Sequence, residues 1–255
     1  MRLCDIHGSS MGETESMPMP RGLQRRGIER RDKMLRVAIQ LFLKNGYEKT
    51  TTASIAKGAG MAPSSFFAAF ESKEALLLIL VKSMFSRQFE SAGKIEGGSE
   101  DPLLLYSIEI ALQLCIAEQS KPLRELYVTA YSLPTTSEYI YDSMAERLQR
   151  IFSGYMPEAK RKDFYEMDIA TAGIMRAYMA KPCDMYFTIE DKLRRFLQSS
   201  LTLYCVPKEE QSRITDTVLK MDLRPYAEQI IQKMVEIAEA GLPLVVEEEN
   251  CKSAM

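Results

Sequence analysis

The stretch IAKGAGMAPSSFFAAFESKEALL, residues 55–77, decides how the rest of the chain is read. Gly60 separates two short apolar-periodic segments, and Pro63 follows three residues later. Glycine takes positive φ without a steric penalty and so ends a helix. Proline suits a first helical position, where its missing N–H would have had no partner. The pattern therefore predicts helix, tight turn, helix. Ala56 is small where two such helices must cross closely, and Ile55, Met61, Phe66 and Phe70 can supply a shared core. The stretch SSFFAAF carries no charge, so any contact with a polyanion has to come from the residues around it.

Upstream, a helix is expected from near Arg30 to Asn45. Leu35, Ala38, Ile39 and Phe42 form one apolar stripe and Met34, Val37 and Leu41 a second beside it, so two sides are buried. Gly46 ends this helix, and Thr51 is placed to cap the next one through its hydroxyl. Before it runs RGLQRRGIERRDKML, read either as a flexible basic arm for phosphates or a minor groove, or as a solvated charge run. Downstream, Ser72 caps a helix of about five turns, with Glu74 near its positive end. From Asp101 the chain reads as helices near 102–119, 122–132, 137–154, 162–180, 189–205, 208–220 and 224–240, punctuated by Gly and Pro. The expected fold class is all-α. Residues 1–20, rich in Ser, Gly, Met and Pro, and the acidic end 243–255 are expected to be disordered or frayed.

Composition excludes more than it selects. With 46% hydrophobic and 27% charged residues the chain is of ordinary globular type. It contains no run of about 18 apolar residues and no secretory h-region at its start, so no membrane association and a cytoplasmic location are expected. Cys4, Cys115, Cys183, Cys205 and Cys251 show no CxxC spacing. Neither disulfide nor zinc site is suggested, and Cys115, Cys183 and Cys205 are read as reduced packing residues. The single histidine, His7, removes Ser-His-Asp and Cys-His nucleophiles and most transition-metal sites. Phosphate-cradling glycine loops are missing, and no carboxylate pair is marked out by its neighbours. The reading is therefore not an enzyme, with no catalytic residue, metal or cofactor. Charge is divided: 14 Lys and Arg face 6 Asp and Glu between Arg21 and Lys94, but 18 face 26 from Ile95 onward. Either a polyanion-binding head precedes an acidic body, or the clustering is chance.

The run AIQLFLKNGYEKTTTASIAKGAGMAPSSFFAAFESKEALLLIL, residues 38–80, resembles the tetracycline-repressor-like (TetR) family of bacterial one-component regulators. The likeness is carried by Phe42, Gly46, Tyr47, Thr51, Ile55, Ala56, Ala59, Gly60, Phe70, Lys73 and Leu76 together. It implies a three-helix DNA-binding head, which with its basic arm would take residues 21–75. A helical effector-binding and dimerisation body would take 76–242. It also implies a homodimer that docks its second and third helices in the major groove of double-stranded operator DNA. Thr51 and Lys73 match positions that approach phosphates, whereas Phe67 stands where the family usually has a phosphate-binding tyrosine. Ala62, Ala68 and Ala69 likewise replace residues that are often polar in the family.

These matches and departures define the expected sites. Lys49, Thr51, Lys57 and Lys73 would contact phosphates; Ser64 and Ser65 would reach base edges through short hydroxyls, and thymine methyls would meet apolar contacts. Phe67 is read equally as DNA-facing or as core, and Phe66 and Phe70 as core. Modest specificity per half-site and steep salt dependence follow. In the body, Tyr106, Tyr127, Tyr131, Met175, Tyr178 and Met179 are candidates for an effector pocket, with core packing the alternative for each. Residues 168–180 and 192–206 are the candidate dimer helices, since Ala170, Ala172 and Gly173 permit close approach. The expected function is a transcriptional repressor released by a small apolar or aromatic effector. The alternative is a dimeric regulator that answers to a protein partner or to no ligand.

Overall fold

The computed structural model of the protein describes residues 21–95 and 101–240, with side chains over 25–84 and 101–236. The segments read as disordered, 1–20 and 243–255, lie outside the described residues, as does His7. Among the described residues there are eleven α-helices and no strand beyond an isolated bridge between Asp184 and Phe187.

The head consists of α1 (Arg21–Asn45), α2 (Thr52–Gly58) and α3 (Ser65–Ala69). Its interior is the expected one: Leu35, Ala38, Ile39 and Phe42 of α1 meet Ile55, Ala56, Phe66 and Phe70, all buried, with Met61 half-buried against them. Each large apolar side chain so buried contributes about 1.5–3 kcal/mol. Gly46 and Gly60 sit at φ of 80° and 72°, where a Cβ would be strained, so each turn needs glycine. At Gly58 the constraint is space: a Cβ there would lie 2.6 Å from Val37 Cγ1, so α2 rests directly on α1.

Two local readings are corrected. The Arg-rich segment, read as a flexible arm or a solvated charge run, is the first part of α1, which begins at Arg21 rather than near Arg30. Arg and Gln are good helix formers, and an Arg25–Glu29 pair at 3.1 Å, four residues apart, adds support where no proline interrupts. Pro63 opens a turn instead of the helix proper. Ser65 N–H donates to Ala62 O at 2.9 Å and Phe66 N–H to Pro63 O at 3.2 Å, and α3 starts at Ser65.

From the head, α4 (Lys73–Ile95) leads into the body, capped by Ser72, whose hydroxyl accepts from Ala75 N–H at 3.0 Å. The body is built around α5 (Pro102–Gln119). This helix is buried on every side because α4, α6 (Lys121–Ala130), α7 (Pro134–Phe152), α8 (Arg161–Ala180), α9 (Ile189–Leu203), α10 (Lys208–Leu219) and α11 (Arg224–Ala240) all pack on it. A helix apolar on most of its circumference and buried all round is a core rod. Asp101 caps α5, accepting from Leu103 N–H at 3.0 Å and Leu104 N–H at 3.2 Å, and pairs with Arg213 of α10 at 2.7 Å. A second tie crosses the body at its far side. Fully buried Lys192 meets the Glu118 carboxylate and donates to Lys181 O at 2.6 Å, while Glu118 also holds Arg124 at 3.1 Å.

The head is not tethered by α4 alone. α1 packs against α6 and α11, and a Cβ placed on Gly46 would run into the Glu125 carboxylate of α6. The cysteine reading needs one correction. Cys115 is buried and Cys183 half-buried, but Cys205 is exposed, at φ 57°, in the residue that closes α9. There Val206 N–H reaches back to Leu201 O at 3.0 Å, the bond that a left-handed residue after a helix makes possible.

Candidate functional site

The face of the head that surrounds α3 is open. Lys49, Thr51, Lys57, Ser64 and Phe67 are exposed, and Ser65 is half-buried at the start of α3. Ser64, Phe67 and Ala68 are spaced i, i+3, i+4, so they share one outward face of the short helix. Phe67 is 64% exposed and touches the core only by an edge contact to Phe66 at 5.5 Å. Such exposure of a large ring excludes the core reading. Thr51 caps α2 by accepting from Ser54 N–H at 3.0 Å, in a reciprocal box in which Thr51 N–H donates to Ser54 Oγ at 3.0 Å. Its own hydroxyl proton stays free to donate outward.

Lys73 differs from the others. Its ammonium donates to Tyr47 O at 3.0 Å and Thr50 O at 3.1 Å and lies 3.9 Å from the centre of the Tyr47 ring. Burial there lowers its pKa, partly opposed by Glu48. Two of its three N–H groups therefore fasten the first turn of α4 to the α1–α2 connection, where a phosphate contact was expected. The sequence carried no sign of this, because the acceptors are backbone carbonyls 26 and 23 residues away.

In the body, a cavity of about 20 Å³, room for about one water, lies between α5, α7, α8 and α9. Tyr106, Tyr131 and Met175, three of the expected pocket residues, line it. The other three do not: Tyr127 and Met179 are buried elsewhere in the core, and Tyr178 stacks on Phe187 at 5.9 Å. The wall also contains four polar residues that sequence reasoning missed, Glu109, Gln113, Asp168 and Thr171. Two of them left a signal. Glu109 and Gln113 stand four residues apart, on one side of a helix that is mostly apolar.

The polar groups are unevenly satisfied. Tyr131 donates its hydroxyl to Gln113 Oε1 at 2.7 Å. Glu109 is 1% exposed and lies 2.8 Å from Arg147; burial, against the pull of that guanidinium, brings its carboxyl up to about 7. Asp168, 7% exposed, accepts from the Thr171 hydroxyl at 2.9 Å through Oδ1, and Tyr204 lies 3.2 Å behind Thr171. Its Oδ2 is buried without a hydrogen-bond partner, and burial raises this carboxyl from 3.8 to about 7 as well. Among the described residues no group of three or more His, Cys, Asp or Glu is arranged to hold a metal, and no helix is long and apolar enough to cross a membrane.

Comparison with known proteins bears on the head first. Residues 34–80 match the family described as bacterial regulatory proteins, tetR family. HTH-type transcriptional regulator TcmR of Streptomyces glaucescens is 38% identical over 91 residues, covering 35% of this chain and 40% of that protein. HTH-type transcriptional regulator QacR of Staphylococcus aureus is 28% identical over 129 residues, 49% of this chain and 64% of its own length. The uncharacterized HTH-type transcriptional regulator YerO of Bacillus subtilis is 26% identical over 160 residues, 59% of this chain and 55% of its own. The chain thus spans less than two thirds of each of these relatives.

Proposed function

Because the chain belongs to the TetR family of bacterial transcriptional regulators through its N-terminal head, we propose that it is a ligand-responsive repressor. In this reading it binds double-stranded operator DNA as a homodimer and leaves it when a small molecule occupies the body. The observation that carries the reading is the union of two parts in one packed unit: an open, basic helix-turn-helix face, and a helical body with a partly satisfied polar cavity. Lys49, Thr51 and Lys57 take phosphates; Ser64 and Ser65 face the bases; Phe67 lies against the DNA backbone; Lys73 acts mainly by holding α4 to the head. α8 and α9 pair the two subunits, an assignment supported by the exposed Ile169, Ala170 and Ala177 of α8.

Release needs an element that both sites bias. α4 and α7 are the candidates. α7 supplies Ile140 and Met144 to the cavity wall and packs on α4, whose first residue is bonded to the α1–α2 connection. Spreading the cavity therefore displaces α4 and re-aims the head. Gel-shift titration against DNA upstream of its own and adjacent genes tests the first half, and thermal-shift screening with operator-release assays the second. Absence of any shifted complex at low salt overturns the DNA reading. Binding that no small molecule reverses leaves a regulator that answers to a protein partner or to no ligand.

A further inference from the structure

Asp168 is the least satisfied charge-bearing group of the cavity. Thr171 supplies the hydrogen bond to its Oδ1, Oδ2 has none, and no ion pair reaches it among the described residues. The other cavity carboxylate already faces Arg147, so a cation is in place for Glu109 and missing for Asp168. Around the carboxylates stand aromatic rings, Tyr106, Tyr131 and Phe196, and the apolar side chains of Ile110, Met144 and Met175. An unpaired acid among aromatic rings and flexible apolar groups is complementary to one ligand class, a positive charge carried on an apolar body.

We propose that this cavity binds a small organic cation, an amine or quaternary ammonium with an aromatic or aliphatic body, whose charge is taken by Asp168. This deepens the reading of the chain as a ligand-responsive regulator and rests on it. In the empty state the carboxylate is buried without a counter-charge, which disfavours the closed packing. A cation restores the missing partner. The cavity as it stands holds about one water, so an organic body enters only as α7 and α8 part, and the unbranched side chains of Met144 and Met175 can reshape around it. The expected apolar or aromatic effector is thereby narrowed to one that bears charge.

The full chain is titrated with three compounds of one shape, 3-phenylpropylammonium, 3-phenylpropanol and 3-phenylpropionate, and binding is read by calorimetry and thermal shift. The ammonium is expected to bind about 10- to 100-fold more tightly than the alcohol, as a charged hydrogen bond in a dry site requires, and the carboxylate least. Asp168→Asn is expected to erase that preference while leaving the alcohol's affinity within about threefold. Equal or weaker binding of the ammonium, no binding by any of the three, or a preference that survives in Asp168→Asn overturns the proposal. If that variant does not fold, the charge series on the unaltered protein still decides. Operator release separates the two readings. A neutral or anionic compound that binds at least as tightly as the ammonium and releases DNA preserves the regulator and removes the cation site; an ammonium that binds through Asp168 without releasing DNA does the reverse.

Discussion

Replacing Asp168 with Asn should change how stability depends on pH, and the size of the change follows from the site. The carboxyl is 7% exposed, has one hydrogen bond, and is raised by burial from 3.8 to about 7. Because the folded state holds the proton more tightly than the unfolded chain, folding takes up protons between these two values. The unfolding free energy therefore falls as pH rises through that window, and levels off above about pH 7. The whole interval corresponds to about 4 kcal/mol, at about 1.4 kcal/mol per pH unit, and the part between pH 5 and pH 7 to about 3 kcal/mol. Asn keeps the shape and can still accept from Thr171, but its amide brings donors that need partners, at a cost of about 1–3 kcal/mol at every pH. The comparison that removes this constant cost is the difference between variant and unaltered protein at pH 8 minus the same difference at pH 5. Relief of Glu109, which the Asp168 charge also raises, adds in the same direction. Urea unfolding of both proteins at the two pH values is expected to give about 3 kcal/mol in favour of Asn at the higher pH. Stability curves that stay parallel within about 0.5 kcal/mol refute the claim that Asp168 is a buried, uncompensated acid.

Phe67→Tyr is expected to tighten operator binding by about tenfold or more, since it supplies a hydroxyl for a phosphate where the ring is already exposed. Fluorescence anisotropy on a labelled operator measures it, and unchanged affinity would place Phe67 away from the backbone. Lys73→Met should lower head stability by about 1–3 kcal/mol through loss of the bonds to Tyr47 and Thr50 carbonyls. It should weaken DNA binding with little change in salt slope; a slope smaller by about one unit would instead mean that Lys73 contacts a phosphate directly.

Most of the architecture was legible because it depends on local rules. The apolar stripes of α1, the Thr51 and Ser72 caps, and the prolines and glycines between body helices put the predicted segments within a few residues of the observed ones. The helical start of α1 was not legible, since a run of Arg and Gln is equally compatible with helix and with a solvated coil. The site divides along the same line. Exposure of Ser64 and Phe67 follows from helical spacing once the core side of α3 is known. The bonds of Lys73 and the isolation of Asp168 do not follow from spacing, because partners and missing partners are set by distant segments.

By itself, then, the sequence determined an all-α chain with a basic helix-turn-helix head, through periodicity, capping and the positive φ that Gly46 and Gly60 permit. Only the tertiary structure decided which polar residues meet in the body. Glu109, Gln113, Asp168 and Thr171 come from α5 and α8, and their chemistry arises from burial in a pocket that α7 and α9 complete. Burial and pairing of a carboxylate are properties of the assembled surroundings, and no neighbour along the chain encodes them.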